Sequence, residues 1–291
     1  MRTARYDGSG HGVAGGECSP STPPPGFERA SLRAMRKGTE TILIGARRVR
    51  VDADTCIVVN PGSNRSSRYG GAGSVAPISV SFAPALLAQA LRAADDDDDD
   101  ATLRTTCVFL EALQVRSGAV AAHLDCIERR LRQPHGDDLW WDERVALLLA
   151  ASIAADRMLQ RRAAMLPARK AATRCELLRR VLMASDYIQS TYEQPITLQD
   201  IAASARLSRF HLVRLFQCVH GLAPHAYLTR KRVDAARRLL AQTGLGLDEI
   251  AARSGLGSRS SLFRHLRRVE GSGASALRAQ WLEREPCTSS A

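Results

Sequence analysis

No stretch of this 291-residue chain approaches 18 consecutive apolar residues, the length that a membrane-crossing helix needs. The first twenty residues carry glycines and charges where a secretory signal would have an apolar core, so a soluble, unsecreted chain is expected. Aromatic residues make up only 5% of the sequence. With no RNP-like strand, readout of single-stranded RNA by base stacking is disfavoured. The seven cysteines (Cys18, Cys56, Cys107, Cys126, Cys175, Cys218 and Cys287) are odd in number, scattered, and form no C-x-x-C pair. That spacing argues against a disulfide framework or a zinc knuckle. Most of them read as small buried hydrophobes, and a redox-sensing thiol at Cys56 or Cys107 is the alternative. No P-loop, G-x-S-x-G or H-E-x-x-H occurs, and the Gly70-Gly71-Ala72-Gly73 cluster has no helix start after it. Neither an enzyme nor a cofactor is expected.

What the chain has is positive charge. Its formal net charge is +11, and arginine far outnumbers lysine. Such a balance favours a polyanion, either nucleic acid or an acidic membrane surface. The charge is concentrated: residues 186–284 hold 15 lysines and arginines against 8 acids, a net +7 of the +11.

Along the chain, residues 1–26 are rich in Gly, Ser and Pro and read as a disordered tail. From Phe27 to Phe82 short apolar runs alternate with Gly, Pro, Asn and Asp: Thr41–Ile44, Val49–Val51, Cys56–Val59 and Ile78–Phe82. This pattern predicts an antiparallel sheet or small barrel. Asp95–Asp100 is an unbroken run of acids, which reads as a solvated loop because a metal site needs converging rather than consecutive ligands. Helical spacing follows over Trp140–Leu166 and over 171–191, with Pro167 between them as a boundary. Trp140 and Trp141 read as packing residues more than as the lining of a ligand site.

The last hundred residues carry the clearest pattern. Thr197-Leu198-Gln199-Asp200 places a hydroxyl at a helix start with an acid three residues on. Arg206-Leu207 makes a turn, and Ser208 caps a helix whose Leu212, Leu215, Phe216 and Val219 form one buried stripe. Arg209, Phe210, Val213, Arg214 and Gln217 fall on the opposite face. A second copy follows. Asp248-Glu249-Ile250-Ala251-Ala252 repeats the small-faced helix, Ser254-Gly255-Leu256-Gly257 the turn and Ser258 the cap. Leu262, Leu266 and Val269 repeat the stripe, while Arg259, Ser260, Phe263, Arg264 and Arg267 face out. The offset is 49 residues before the turn and 50 after it, so the second turn holds one extra residue. Between the copies a helix from Pro224 to about Thr243 sets Ala236, Leu239 and Leu240 inward, with Arg230, Lys231, Arg232, Arg237 and Arg238 outward. Two helix-turn-helix units joined by one rigid helix suit successive major grooves of duplex DNA.

This pattern resembles the AraC/XylS family of bacterial transcription regulators. The matching residues are Ile201-Ala202, Leu207-Ser208, His211-Leu212, Arg214, Phe216, Gly221, Ala223-Pro224, Tyr227, Arg232, Ala236, Leu239-Leu240, Ile250-Ala251, Gly255, Ser260, Arg264, Gly271 and Arg278, over roughly 100 residues. The chain departs from the family at Leu256, Leu262, Leu266 and Leu277, where aromatics are usual, and at Gly273-Ala274, where an S/T-P pair is usual. These departures imply a looser second unit. The resemblance implies an α+β chain, with a cupin-like N-terminal β-barrel and helices followed by an all-α domain. Its divisions would be a tail at 1–26, an effector-binding or dimerisation domain at 27–166, and a linker helix at 167–185. A DNA-binding domain would follow at 186–285, with units at 197–220 and 247–270, and a tail at 286–291. It assigns DNA contact to Ser208, Arg209, Phe210, Val213, Arg214, Gln217, Ser258, Arg259, Ser260, Phe263, Arg264 and Arg267.

Arginine can read guanine bidentately, whereas Phe210, Val213 and Phe263 can touch only features such as the thymine methyl. Arg214 and Arg264 stay open between base and phosphate. Metal-binding cupins take histidines from strands, and none lies between residues 12 and 122, so no metal centre is expected. Some proteins join such a domain to a methyl-accepting repair cysteine in a Pro-Cys-His-Arg-like setting, and no cysteine here sits in one. The implied protein is a cytoplasmic, nucleoid-associated activator. Its partners would be promoter DNA, a small effector, RNA polymerase and a second copy bound through the N-terminal half. A redox-sensing regulator and an effector-independent architectural binder are the alternatives.

Overall fold

A computed structural model describes residues 4–8, 10–62, 64–71, 73–96, 109–132 and 137–270. Cys107, Cys287, residues 97–100 of the acidic run and everything from Gly271 onward, including Arg278, lie outside the described residues. The chain divides into two compact units, 1–186 and 187–291, and the division falls inside one helix.

Among the described residues the first unit is built on nine antiparallel strands. They are β1 (Ala4–Gly8), β2 (His11–Gly15), β3 (Ser31–Lys37), β4 (Thr39–Ile44), β5 (Arg47–Val51), β6 (Thr55–Val59), β7 (Arg65–Gly70), β8 (Ala76–Ser81) and β9 (Gln114–Val115). One sheet has the order β1-β2-β8-β3-β6-β9 and the other β5-β4-β7. The expectation that residues 1–26 are disordered is overturned, because β1 pairs with β2 and β2 with β8. The alternation His11, Val13, Gly15 buries one side of β2 in spite of the glycines.

The larger sheet is covered on both faces, which explains the unbroken apolar run Cys56–Val59, buried at every position together with Thr55. On one face Leu32, Val58 and Val80 pack against helices α2 (Gly118–Arg132) and α3 (Asp138–Ala164). On the other, Met35, Ile57 and Val59 meet Ile42, Val49 and Val51 of the smaller sheet. Each such Val or Ile, fully buried, contributes roughly 1.5–3 kcal/mol. Trp141 is buried in the first cluster, with the ring of Trp140 edge-on at 5.0 Å. Helix α1 (Pro84–Asp96) takes in Asp95 and Asp96, so the acidic run begins inside a helix rather than in a loop.

Helix α4 (Ala171–Thr191) contains the division between Asp186 and Tyr187. The second unit then runs through α5 (Leu198–Ser204), α6 (Arg209–His220), α7 (Pro224–Gln242), α8 (Leu247–Arg253) and α9 (Arg259–Glu270). Proline at the first position starts α7, where its missing N–H removes no hydrogen bond. At 1.5 Å per residue its 19 residues span about 28 Å. Among the described residues no helix is long and apolar enough to cross a membrane.

Candidate nucleic-acid interface

The first helix-turn-helix is closed at its start by a reciprocal cap. Thr197 Oγ1 accepts from Asp200 N at 3.2 Å, and Asp200 Oδ2 accepts from Thr197 N at 2.8 Å. The Thr197 N–H, together with the Thr197 hydroxyl that donates to the same Oδ2 at 2.7 Å, holds the exposed Asp200 carboxyl below its ordinary range. Arg206 then takes a left-handed conformation, φ 52, and Leu207 N returns to Ala202 O at 3.0 Å. Ser208 caps α6 by accepting from His211 N at 3.3 Å. Gly221, at φ 71, ends the helix with its N–H on Gln217 O.

That frame fixes which face of α6 points outward. Leu212, Phe216 and Val219 are fully buried, while Ser208, Arg209, Arg214 and Gln217 are exposed and Val213 is half-buried. Phe210 is 74% exposed. A phenyl ring so placed gives the fold no burial, so packing does not account for it. Arg209 and Arg214 form no ion pair with any described residue, which leaves their charge uncompensated.

The second unit presents α9 in the same way. Ser258 Oγ accepts from Ser261 N at 3.2 Å, and Ser258, Arg259, Ser260, Arg264 and Arg267 are exposed. Phe263 departs from the expectation of an outward ring. It is half-buried against the core of this unit, and the Arg259 guanidinium lies 5.6 Å from its centroid. Of the departures that imply a looser core, Gly273-Ala274 and Leu277 lie outside the described residues. Leu262 and Leu266 are fully buried and Leu256 nearly so, packed with Val233, Ala236 and Ile250.

Two cations of α7 are corrected from outward to structural. Lys231 is buried, its ammonium 5.5 Å from the Tyr192 ring centroid. Arg232 Nε donates to Tyr192 O at 2.8 Å and Nη2 to Gln194 O at 2.7 Å, tying α7 to the segment after α4. A helical wheel places both residues near the edge of the polar face, and nothing local says that another segment covers that edge. Arg237 lies within 3.7 Å of Asp234.

Cys218 stands half-buried on α6 beside Gln217. Of the two cysteines singled out for redox sensing, Cys107 lies outside the described residues. Cys56 is buried at 3% exposure, and burial pushes its thiol up to about 12, so it stays protonated and unreactive.

The family model described as a helix-turn-helix domain matches residues 201–280, and one described as an AraC-like ligand binding domain matches residues 14–149. A probable transcriptional regulator, LumQ, of Photobacterium leiognathi is 30% identical over 91 residues, 31% of this chain and 37% of that protein. The lactose operon transcription activator of Staphylococcus xylosus is 36% identical over 72 residues, 25% of this chain and 26% of that protein. The chain thus spans well under half the length of these curated relatives. Among solved structures, the DNA-binding domain of the global transcriptional factor AdpA, in complex with a target DNA, is 32% identical. It covers 36% of this chain and 96% of its own, with a TM-score of 0.36. With a helix-turn-helix region following a ligand-binding region on one chain, the protein belongs to the AraC family of transcriptional regulators.

Proposed function

We propose that the protein is a sequence-specific regulator that binds duplex DNA through α6 and α9 and responds to a small molecule held by its first unit. The observation that carries the reading is the face of α6. Two uncompensated arginines flank an exposed phenylalanine on a helix whose other face is sealed in a core. Arg209 and Arg214 suit guanine edges or phosphates, and Phe210 with Val213 suits a thymine methyl. Ser208 and Gln217 extend the contact along α6. Ser258, Arg259, Ser260, Arg264 and Arg267 form the contact from α9, with Phe263 supporting Arg259 from behind. The chain acts in the cytoplasm on the nucleoid as an activator that engages RNA polymerase, and pairs with a second copy through its first unit.

The test is selection of bound duplexes from a random library by the full chain at one fixed salt concentration, since phosphate contacts make affinity salt-dependent. Two selected blocks about one helical turn apart support engagement of both units. A library recovered without sequence preference overturns the reading in favour of an architectural binder.

A further inference from the structure

We propose that His265, beside Arg264 and Arg268 on α9, is a DNA-phosphate contact that engages with uptake of a proton. The proposal rests on the DNA-binding reading above and names a regulation of that same surface by acidity. It begins in the sequence of α9. Residues 259–270 read RSSLFRHLRRVE, four arginines and one histidine against a single acid at the last position. At 3.6 residues per turn, Leu262 and Leu266 turn to the core, while Arg264 and Arg267 stand exposed on the outside. His265 falls on the flank between them, half-buried, with the exposed Arg268 three positions on along the same side.

Every charge that bears on His265 among the described residues is positive. Arg264 and Arg268 act on it from α9, and His225 and Arg232 from α7. Arg232 is committed to the Tyr192 and Gln194 carbonyls, and Arg264 Nη2 donates to Ser261 Oγ at 3.4 Å. Arg264, Arg268 and the exposed His225 form no ion pair with any described residue. None of the acids on α7 and α8 answers this charge. Asp234 lies among Arg230, Arg237, Lys231 and Arg238, Glu249 pairs with Arg253 at 2.6 Å, and Asp248 is exposed in the first turn of α8.

Those surroundings set the protonation of the ring. Burial first, then Arg264, Arg268, His225 and Arg232, hold His265 below the ordinary imidazole range, so the ring is neutral at pH 7 in the free protein. A neutral imidazole brings one N–H and no charge to a phosphate. A phosphate laid on this flank serves as counter-ion to Arg264 and Arg268, and so offsets the repulsion that keeps the ring neutral. The ring then gains a proton and donates a charge-assisted hydrogen bond to a phosphate oxygen. Binding that raises a pKa is strongest below the free value and weakens as pH rises through the bound value. The free value lies below the ordinary 6.5, so the loss of affinity begins below that pH and runs upward from there. Phosphates are the same in every duplex, so the effect is independent of sequence.

The experiment is fluorescence anisotropy of the full chain with a selected and a scrambled duplex, at one fixed salt concentration and at about pH 6, 7 and 8. The wild-type chain is expected to weaken on both duplexes as pH rises, by about tenfold more than His265→Gln, since one proton is worth at most tenfold per pH unit. Comparison with His265→Gln removes the titration of the other histidines. His265→Gln, a neutral donor, is expected to bind throughout at the level the wild type reaches at high pH. His265→Arg, permanently charged, is expected to restore the low-pH level and hold it. Calorimetry of the wild-type chain in two buffers of different ionisation enthalpy needs no variant, and is expected to show proton uptake on binding. Equal pH profiles for wild type and His265→Gln, or binding without proton uptake, overturn the proposal. A pH effect confined to the selected duplex overturns the phosphate assignment. Absence of binding to either duplex at every pH overturns the DNA-binding reading itself.

Discussion

The two helix-turn-helix units solve one packing problem with different turns. Ala202 and Ala251 play the same part, each taking a turn amide at 3.0 Å, from Leu207 in the first unit and Leu256 in the second. Arg206 and Gly255 are therefore equivalent, both left-handed, at φ 52 and φ 74. The residue that stretches the repeat from 49 to 50 is Gly257, also left-handed at φ 80, whose amide reaches the same Ala251 carbonyl. The outer faces differ more. Helix α6 offers Arg209, Arg214 and an exposed ring, whereas α9 offers Arg259, Arg264, Arg267 and Arg268 with its ring half-buried. Charge without apolar relief suits the phosphate backbone, so on the proposed function the first unit reads sequence and the second grips.

The sharpest way to separate the units is at their equivalent turn residues. A Cβ at Gly255 would meet Tyr192 O at 2.3 Å and Arg232 Nε at 2.9 Å, on backbone already left-handed. Gly255→Ala is expected to cost about 2–4 kcal/mol, from overpacking added to backbone strain. Arg206 is exposed, and Arg206→Gly removes the strain of a left-handed non-glycine residue, so a change within about 1 kcal/mol is expected. Chemical denaturation of both variants checks this. Equal stability for the two would show that the turns are not equivalent in strain.

DNA contact is the next distinction. Arg214→Ala is expected to cost about 1–3 kcal/mol in binding and to relax preference at one base position. Arg267→Ala is expected to weaken all duplexes alike and to lower the salt slope by about 1. Binding to selected and scrambled duplexes across a salt series measures both. If Arg267→Ala changes sequence preference and Arg214→Ala does not, reader and clamp are reversed.

The helices from α5 onward were legible because their cues are local. A Thr197 hydroxyl three residues before an acid, a stripe at 3.6-residue spacing and a glycine stop are all written within one turn of where they act. What stayed hidden depends on partners distant in sequence. Lys231 and Arg232 are drawn inward by Tyr192 and Gln194, about forty residues upstream, which no periodicity announces. Residues 1–26 look disordered by composition, yet β2 finds β8 more than sixty residues later and brings β1 with it. The departures at Leu262 and Leu266 leave the stripe intact, since both leucines are fully buried.

The smallest difference lies at the two entry caps. Helix α5 begins with the full reciprocal cap of Thr197 and Asp200, whereas α8 begins at Gly246, which has no side chain to offer. Asp248 and Glu249 in the first turn of α8 oppose the helix dipole and supply part of what the cap lacks. Thr197→Ala is therefore expected to destabilise the first unit by about 1 kcal/mol. Gly246→Ser is expected to stabilise the second by only a few tenths of a kcal/mol, about the usual gap between glycine and serine at this position. Gly246 has φ −64 and ψ 152, extended backbone that serine adopts without strain, so the gain is not offset by distortion. Hydrogen exchange of the first-turn amides of α5 and α8 would register both changes where they occur. If Gly246→Ser protects α8 as strongly as Thr197→Ala exposes α5, the acids of α8 are not substituting for a cap, and the two units differ in stability by a hydroxyl alone.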